Sequence, residues 1–441
     1  MVNNLTEGNP TKKIMSLVFS MLAASLMSYI YNITDSIMVG KFVSPDALGA
    51  ISASSPLNNL LANISSMTIS GFCIIAGQVF GMGDERKLRK LSANILYATG
   101  MIIALITVVS LIILRPCLEW METPPAFLAM ANEYMLIIIF ARVFSLFSGL
   151  CSGLMRALGD SKTTLYVSLV TGFANVCFNY LFLAIIPLGI AGAAWGTFCS
   201  CLLGIVIYLY LMEKKMKIPR FGKEEASISL PLVKKLFAVG IPLGLQTSVV
   251  SVGAIILQSA VNSHGETVVT GIAVGSKLLT LFWMIFESIE TALVYFCAQN
   301  LGAGRADRIR QGTRNVLWMQ FCIGAFCFVV SLFAGEYVHM CFVGKDEELL
   351  TAAGNYLLSQ IIFFPFMVTL STWRGAVKGC GASVPSLCCG IIELIVRIVV
   401  SGVFSDNLAI LFMAGPVAWV CTSVFLGILY PRIFKKVSAH F

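Results

Sequence analysis

The sequence places a carboxylate in a stretch that otherwise avoids charge. From Ile14 to Val39 it reads IMSLVFSMLAASLMSYIYNITDSIMV, and Asp35 is the sole ionisable residue there. Putting such a group into a bilayer costs about 3 kcal/mol on insertion scales, so it is expected to serve a function or to meet a partner. Seven other ionisable residues inside apolar runs stand out: Arg142, Lys277, Glu287, Glu290, Arg374, Glu393 and Arg397. Each is a functional candidate for the same reason. Glu393 and Arg397 are four apart and predict an ion pair along one helix. Arg374 sits near the end of its run, where a long basic side chain reaches the interface. Asp35 has no basic residue at helical spacing, so its partner must come from another helix or be an ion.

The elements that position these residues follow from composition. The chain has 441 residues, 58% hydrophobic and only 12% charged, with a mean hydropathy of +0.87. That is too little polar surface for a soluble protein of this length. Most apolar runs exceed the roughly 20 residues that span a bilayer as a helix, and none shows the short alternation of barrel strands. The predicted fold is an all-α membrane protein with twelve spans: 14–39, 47–78, 91–114, 126–158, 163–186, 190–212, 233–262, 268–299, 316–334, 350–377, 384–403 and 408–433. The first run is too long for a cleaved signal peptide and is expected to be retained.

Charge placement fixes orientation. One side of the membrane receives only Lys41, Arg115 and Lys345, whereas the other collects groups such as Lys12-Lys13, Arg86-Lys87, Arg89-Lys90, Lys214-Lys215 and Lys234-Lys235. The basic side is cytoplasmic, and so both termini are predicted there, with the chain in a cell membrane. The net charge of +8 therefore marks topology rather than a nucleic-acid surface. The fourteen cysteines include no C-x-x-C pair and read as small hydrophobes. His264, His339 and His440 build no zinc constellation. No G-x-x-x-x-G-K-[S/T], H-E-x-x-H or G-x-S-x-G occurs, which argues against ATP hydrolysis and against an enzyme.

The chain repeats itself. GQVFGMGDERKLRKLSANIL, after the second span, aligns with AQNLGAGRADRIRQGTRNVL, after the eighth: Gln78 with Gln299, Gly81 with Gly302, Gly83 with Gly304, Arg89 with Arg310 and Asn94 with Asn315. Gly49 with Gly271 and Gly159 with Gly381 hold nearly the same offset. Six spans per half is an even number, so the repeats are parallel, as in transporters whose path runs between two bundles. The predicted organisation is a tail at 1–13, a six-helix bundle at 14–212, a linker at 213–232, a second bundle at 233–433 and a tail at 434–441. The G-x-G loops read as tight turns.

Two constellations carry the chemistry. Asn175 and Asn179 share one face of the fifth span, and Thr197 lies in the sixth; by topology all three fall with Asp35 in the outer half of the first bundle. An aspartate, two amides and a hydroxyl suit Na⁺ through their oxygens, and a carboxyl in a poorly hydrated pocket suits H⁺; an interhelical hydrogen-bond cluster that only fixes packing is the plain alternative. A site with one carboxylate releases one charge, which favours H⁺. In the eighth span, Glu287 and Glu290 are three apart, near Phe282, Trp283, Phe286 and Tyr295. Carboxylates with aromatic surface suit a lipophilic organic cation in a cleft, and the alternative is structural pairing with Lys277 and Arg397.

NITDSIMVG in the first span, the G-x-G loops, MRALGDSKTT after the fourth span and IAGAAWGT opening the sixth together resemble the multidrug and toxic compound extrusion (MATE) transporters over nearly the whole chain. The resemblance implies a cation-coupled antiporter that exports amphipathic, mostly cationic organic compounds in exchange for H⁺ or Na⁺ by alternating access. It implies no cofactor, no ATP and no nucleic acid, only small organic cations, the lipid bilayer and the coupling ion, and a monomer. In the DinF-like branch the coupling ion is associated with an aspartate in span one, Asn and Asp in span five and Thr in span six, which fall on Asp35, Asn175, Asn179 and Thr197. Asn179 departs from that branch's aspartate. The carboxylates of the NorM-type branch have no counterpart in GIPLGLQTSVVS or FFPFMVTLSTWRGA, and Ser20 stands where span one has a proline, although Pro242 is present in its repeat mate. A lipid-linked oligosaccharide flippase of the same superfamily is the competing expectation, usually with extra spans.

Overall fold

The computed structural model describes residues 4–121, 123–216 and 225–439. The described residues form helices throughout: α1 Pro10–Phe42, α2 Pro45–Gly81, α3 Glu85–Trp120, α4 Pro125–Ala157, α5 Ser161–Tyr180, α6 Ile190–Met216, α7 Leu230–Asn262, α8 Glu266–Gly302, α9 Ala306–Val343, α10 Glu347–Ile361, α11 Phe364–Gly379, α12 Ser383–Val403, α13 Leu408–Phe412 and α14 Ala414–Ala439. Eleven of them are long and apolar enough to cross a membrane, and α10 with α11, bent by 50°, supplies the twelfth. Part of the predicted linker, 217–224 with Lys217, Arg220 and Lys223, lies outside the described residues.

Three details differ from the sequence expectation. The tenth span is not one rod: it breaks at Ile362 and Phe363, where Pro365 can supply no N–H to the preceding turn. A five-residue π-turn, Leu181–Ile185, follows α5, and the last predicted span divides into α13 and α14. The helices are also longer than the predicted spans, because capping residues extend them beyond the apolar runs. Asp84, Asp160 and Asp346 each accept from backbone N–H groups of the first helical turn. The Lys87 amide bonded to Asp84 holds that carboxyl below its ordinary range. Gly83 and Gly304, the repeat-related turn glycines, have φ of +74° and +69°, which a side chain rarely tolerates.

The chain forms two compact units. One comprises Phe19–Gly244; the other comprises Leu5–Val18 with the chain from Leu245 onward. The division therefore falls inside α1 and α7. In the first unit α4 packs on α2, α3, α5 and α6, and an apolar cluster that includes Met38, Leu57, Leu118, Met135 and Leu183 closes one end. In the second unit Phe282, Phe286, Phe364, Met367 and Trp419 form the corresponding core, with α8 against α9, α10 and α11. All fourteen cysteines are free thiols, buried at Cys73, Cys151, Cys297, Cys327 and Cys389 and exposed at Cys177, Cys322, Cys341 and Cys421.

Candidate functional site

The second half of α1 is unusually polar, and most of that polarity is absorbed by the helix itself. Ser28, Asn32, Thr34 and Ser36 donate to the carbonyls of Ala24, Ser28, Ile30 and Asn32, each one turn back. Asp35 has no such recourse. A carboxylate only accepts, and the helix N–H groups are already engaged, so its donors must come from elsewhere.

They come from α5. Asn179 donates through Nδ2 to Asp35 Oδ1 at 2.6 Å. The Asn175 amide, oriented by the donors and acceptors around it, donates to Oδ1 at 2.8 Å and Oδ2 at 3.1 Å. Both asparagines are buried, and Asp35 is half-buried. Close helix approach makes this possible. A Cβ on Gly172 would stand 1.6 Å from the Tyr31 ring, and one on Gly196 would stand 1.8 Å from Asn179 Oδ1. Tyr31 also donates to the Leu169 carbonyl at 3.3 Å. The π-turn begins directly after Tyr180, where an extra residue per turn re-aims the end of the fifth span.

Two features define the electrostatics. No basic residue lies within ion-pair distance of Asp35 among the described residues, and Asn179 Oδ1 is buried without a hydrogen-bond donor. Thr197 departs from the expected constellation: its hydroxyl bonds the Ala193 carbonyl one turn back at 3.1 Å, not the aspartate. Sequence reading missed Gly172 and Gly196, although small residues on spans five and six were the available signal for close packing.

The predicted cleft residues of α8 separate. Glu290 is 6% exposed and fully engaged. Arg374 grips it at 3.0 Å and 2.8 Å, Lys378 reaches it at 3.0 Å, and Ser371 donates at 3.3 Å. This corrects two expectations: Glu290 is not an open anion, and Arg374 does not turn to the interface. Lys378, one residue past the predicted tenth span, lies in the last turn of α11. The partners are also not the Lys277 and Arg397 considered from sequence. Lys277 is exposed, while Arg397 meets Glu393 at 3.8 Å as its spacing predicts. Glu393 is shared with Arg374 at 3.7 Å, and Arg397 also donates to the Val250 carbonyl at 2.8 Å. Phe286 is 1% exposed, packed edge-on against Phe364, and so is core rather than lining. Trp283 is 36% exposed and packs edge-on against Trp419; Glu287 is exposed and makes no ion pair among the described residues.

The MatE family pattern matches residues 20–181 and again 242–403. The chain belongs to the MatE family. The two matches begin and end 222 residues apart, the register of the internal repeat, and membership makes this a multi-pass membrane transporter rather than an enzyme. It is 27% identical over 397 residues to the probable multidrug resistance protein YpnP of Bacillus subtilis (strain 168), covering 88% of this chain and 87% of that one. It is 24% identical to the probable multidrug resistance protein YoeA of the same organism, covering 81% and 79%. A crystal structure of MATE in the bent conformation superposes with a TM-score of 0.90 at 18% identity, covering 99% of this chain and 98% of that one. The fold is therefore that of MATE transporters: twelve spans as two six-helix repeats.

Proposed function

We propose that this MatE chain exports amphipathic organic compounds in exchange for H⁺, with Asp35 as the proton carrier of a DinF-like site. The observation that carries the reading is a membrane carboxylate attended by two neutral amides and no cation. An ion-paired carboxylate holds its charge in every state, whereas one facing amides can lose it without stranding a partner. An amide carries both a donor and an acceptor. A half-turn of Asn175 or Asn179 lets the same side chain serve the carboxylate as donor and the protonated acid as acceptor, and the unpartnered Asn179 Oδ1 is an acceptor available for that role. Na⁺ coordination, by contrast, calls for about six oxygens, and the groups nearest Asp35 present N–H. Asn179 in place of an aspartate also removes the second charge that would hold Na⁺.

Protonation would bias the first unit between two packings, and one charge moved through 100 mV contributes about 2.3 kcal/mol to the cycle. The relatives' names support drugs as cargo, and the basic loops support cytoplasmic termini in a bacterial cell membrane. Each chain carries both repeats, so the monomer is the expected working unit. The flippase reading is disfavoured because the similar proteins carry multidrug resistance names. Reconstituted protein under an imposed pH gradient, without Na⁺, should drive dye efflux that Asp35→Asn abolishes at equal protein density. Efflux that needs Na⁺ and ignores the pH gradient would overturn H⁺ coupling, and full efflux in Asp35→Asn would remove Asp35 from the cycle.

A further inference from the structure

A second isolated charge lies in the first unit. Arg142 is the midpoint of α4, fifteen residues from the nearer end at Ala157, or roughly 22 Å of helix. A hydrocarbon core about 30 Å thick centred on the helix leaves each interface about 15 Å away, beyond the reach of an arginine side chain. The residue is only 8% exposed. One end of its guanidinium, Nη2, hydrogen-bonds Asn58 Oδ1 on α2, and the other end, Nη1, is buried without a partner. No carboxylate lies within ion-pair distance among the described residues.

An amide carbonyl does not offset the desolvation of a guanidinium. The fork Nη1 and Nη2 is half occupied, and the geometry it offers matches a planar oxyanion that accepts two parallel N–H bonds. Arg142 is therefore a cation without its anion, at mid-membrane depth, in the same unit as Asp35. Resting on the export reading above, we propose that Arg142, supported by Asn58, anchors the carboxylate of an amphipathic substrate, so that the cargo includes zwitterionic or anionic organic acids and not cations alone.

Rhodamine 110, which carries a free carboxylate, and rhodamine 123, its methyl ester, share one ring system and test this directly. Fluorescence polarisation on the purified full chain in detergent should show rhodamine 110 affinity falling at least tenfold in Arg142→Gln, with rhodamine 123 changed less than twofold. Arg142→Lys, which keeps the charge but not the fork, should lose less and still favour the acid. Should Arg142→Gln fail to give a monodisperse protein, Arg142→Lys and Asn58→Ala carry the test, each weakening the acid more than the ester. Equal loss of both dyes, or no loss of either, overturns the assignment. Wild-type protein that binds the ester but not the acid overturns it while leaving export intact, and protein that binds neither dye overturns it and counts against the export reading as well.

Discussion

The two units spend their buried charges in opposite ways. In the first, Asp35 and Arg142 each face neutral amides, Asn175 with Asn179 and Asn58 respectively. In the second, Glu290, Arg374, Lys378, Glu393 and Arg397 are knitted across α8, α11 and α12 into one network. The halves descend from one repeat, yet only one keeps charges free to change state. A network whose members neutralise one another resists protonation and ligand exchange and so suits a framework, whereas an isolated charge costs stability and persists where it is used.

The largest expected effect breaks the framework. Glu290→Gln leaves the half-buried Lys378 without its carboxylate and Arg374 with Glu393 alone, and removing one partner of a buried pair costs about 3–5 kcal/mol. Asp35→Asn replaces a carboxylate by a group that its amide neighbours can still bond, and should cost under about 1 kcal/mol. Thermal unfolding in detergent, followed by gel filtration, should therefore show a sharp drop for Glu290→Gln and little change for Asp35→Asn, with efflux lost in both. Equal destabilisation would erase the distinction between the units.

That distinction was half legible in the sequence. Asp35, Asn175 and Asn179 were recognisable because each stands out against an apolar run and topology alone brings their depths together. The twelve spans and the repeat were legible for the same reason. The network was not, since nothing in spacing tells α8 that its neighbour is α11, and Lys378 falls just outside the predicted tenth span although the helix continues to Gly379. Only the Glu393–Arg397 pair, which lies within one helix, was available from periodicity. The break at Ile362 and Phe363 was signalled by Pro365. The Thr197 hydroxyl donates to the Ala193 carbonyl, because a hydroxyl on a helix can always turn to its own backbone, an option that sequence cannot weigh.

A second comparison separates the units at the straps that lead into α1 and α7. In the second unit Arg308 binds Asn300 Oδ1 at 2.9 Å, the Gly8 carbonyl at 2.9 Å and the Leu5 carbonyl at 3.1 Å. In the first unit the repeat-related strap is held by Asn94, which donates to the Ser227 carbonyl at 3.2 Å and accepts from the Ser229 amide at 2.7 Å. Arg308→Ala strips three charge-assisted bonds and leaves the Leu5 carbonyl with Asn300 alone, at 3.3 Å, so a loss of about 1–3 kcal/mol is expected. Asn94→Ala removes neutral bonds and should cost about 1 kcal/mol. Amide exchange at Leu5 and Thr6 should accelerate in Arg308→Ala, and exchange at Ser229 in Asn94→Ala. Coincident acceleration of both straps in either variant would show that the straps do not open independently.

The smallest structural effect belongs to Glu287, and it decides whether the second unit holds any working charge. Glu287 stands one turn from Glu290 but is exposed and has no ion-pair partner among the described residues, with the half-exposed Trp283 four residues before it on α8. Glu287→Gln should leave stability within about 0.5 kcal/mol, because no buried partner is stranded. If the carboxylate with the indole attracts a lipophilic cation, ethidium affinity should fall about fivefold, roughly the 1 kcal/mol of one exposed electrostatic and cation–π contact. A neutral substrate should bind unchanged. Glu290→Gln cannot make this measurement, since its destabilisation would mask the binding term, so the single variant is the informative one. An unchanged ethidium affinity, read by polarisation in detergent, would leave every working charge in the first unit and make the second a scaffold alone.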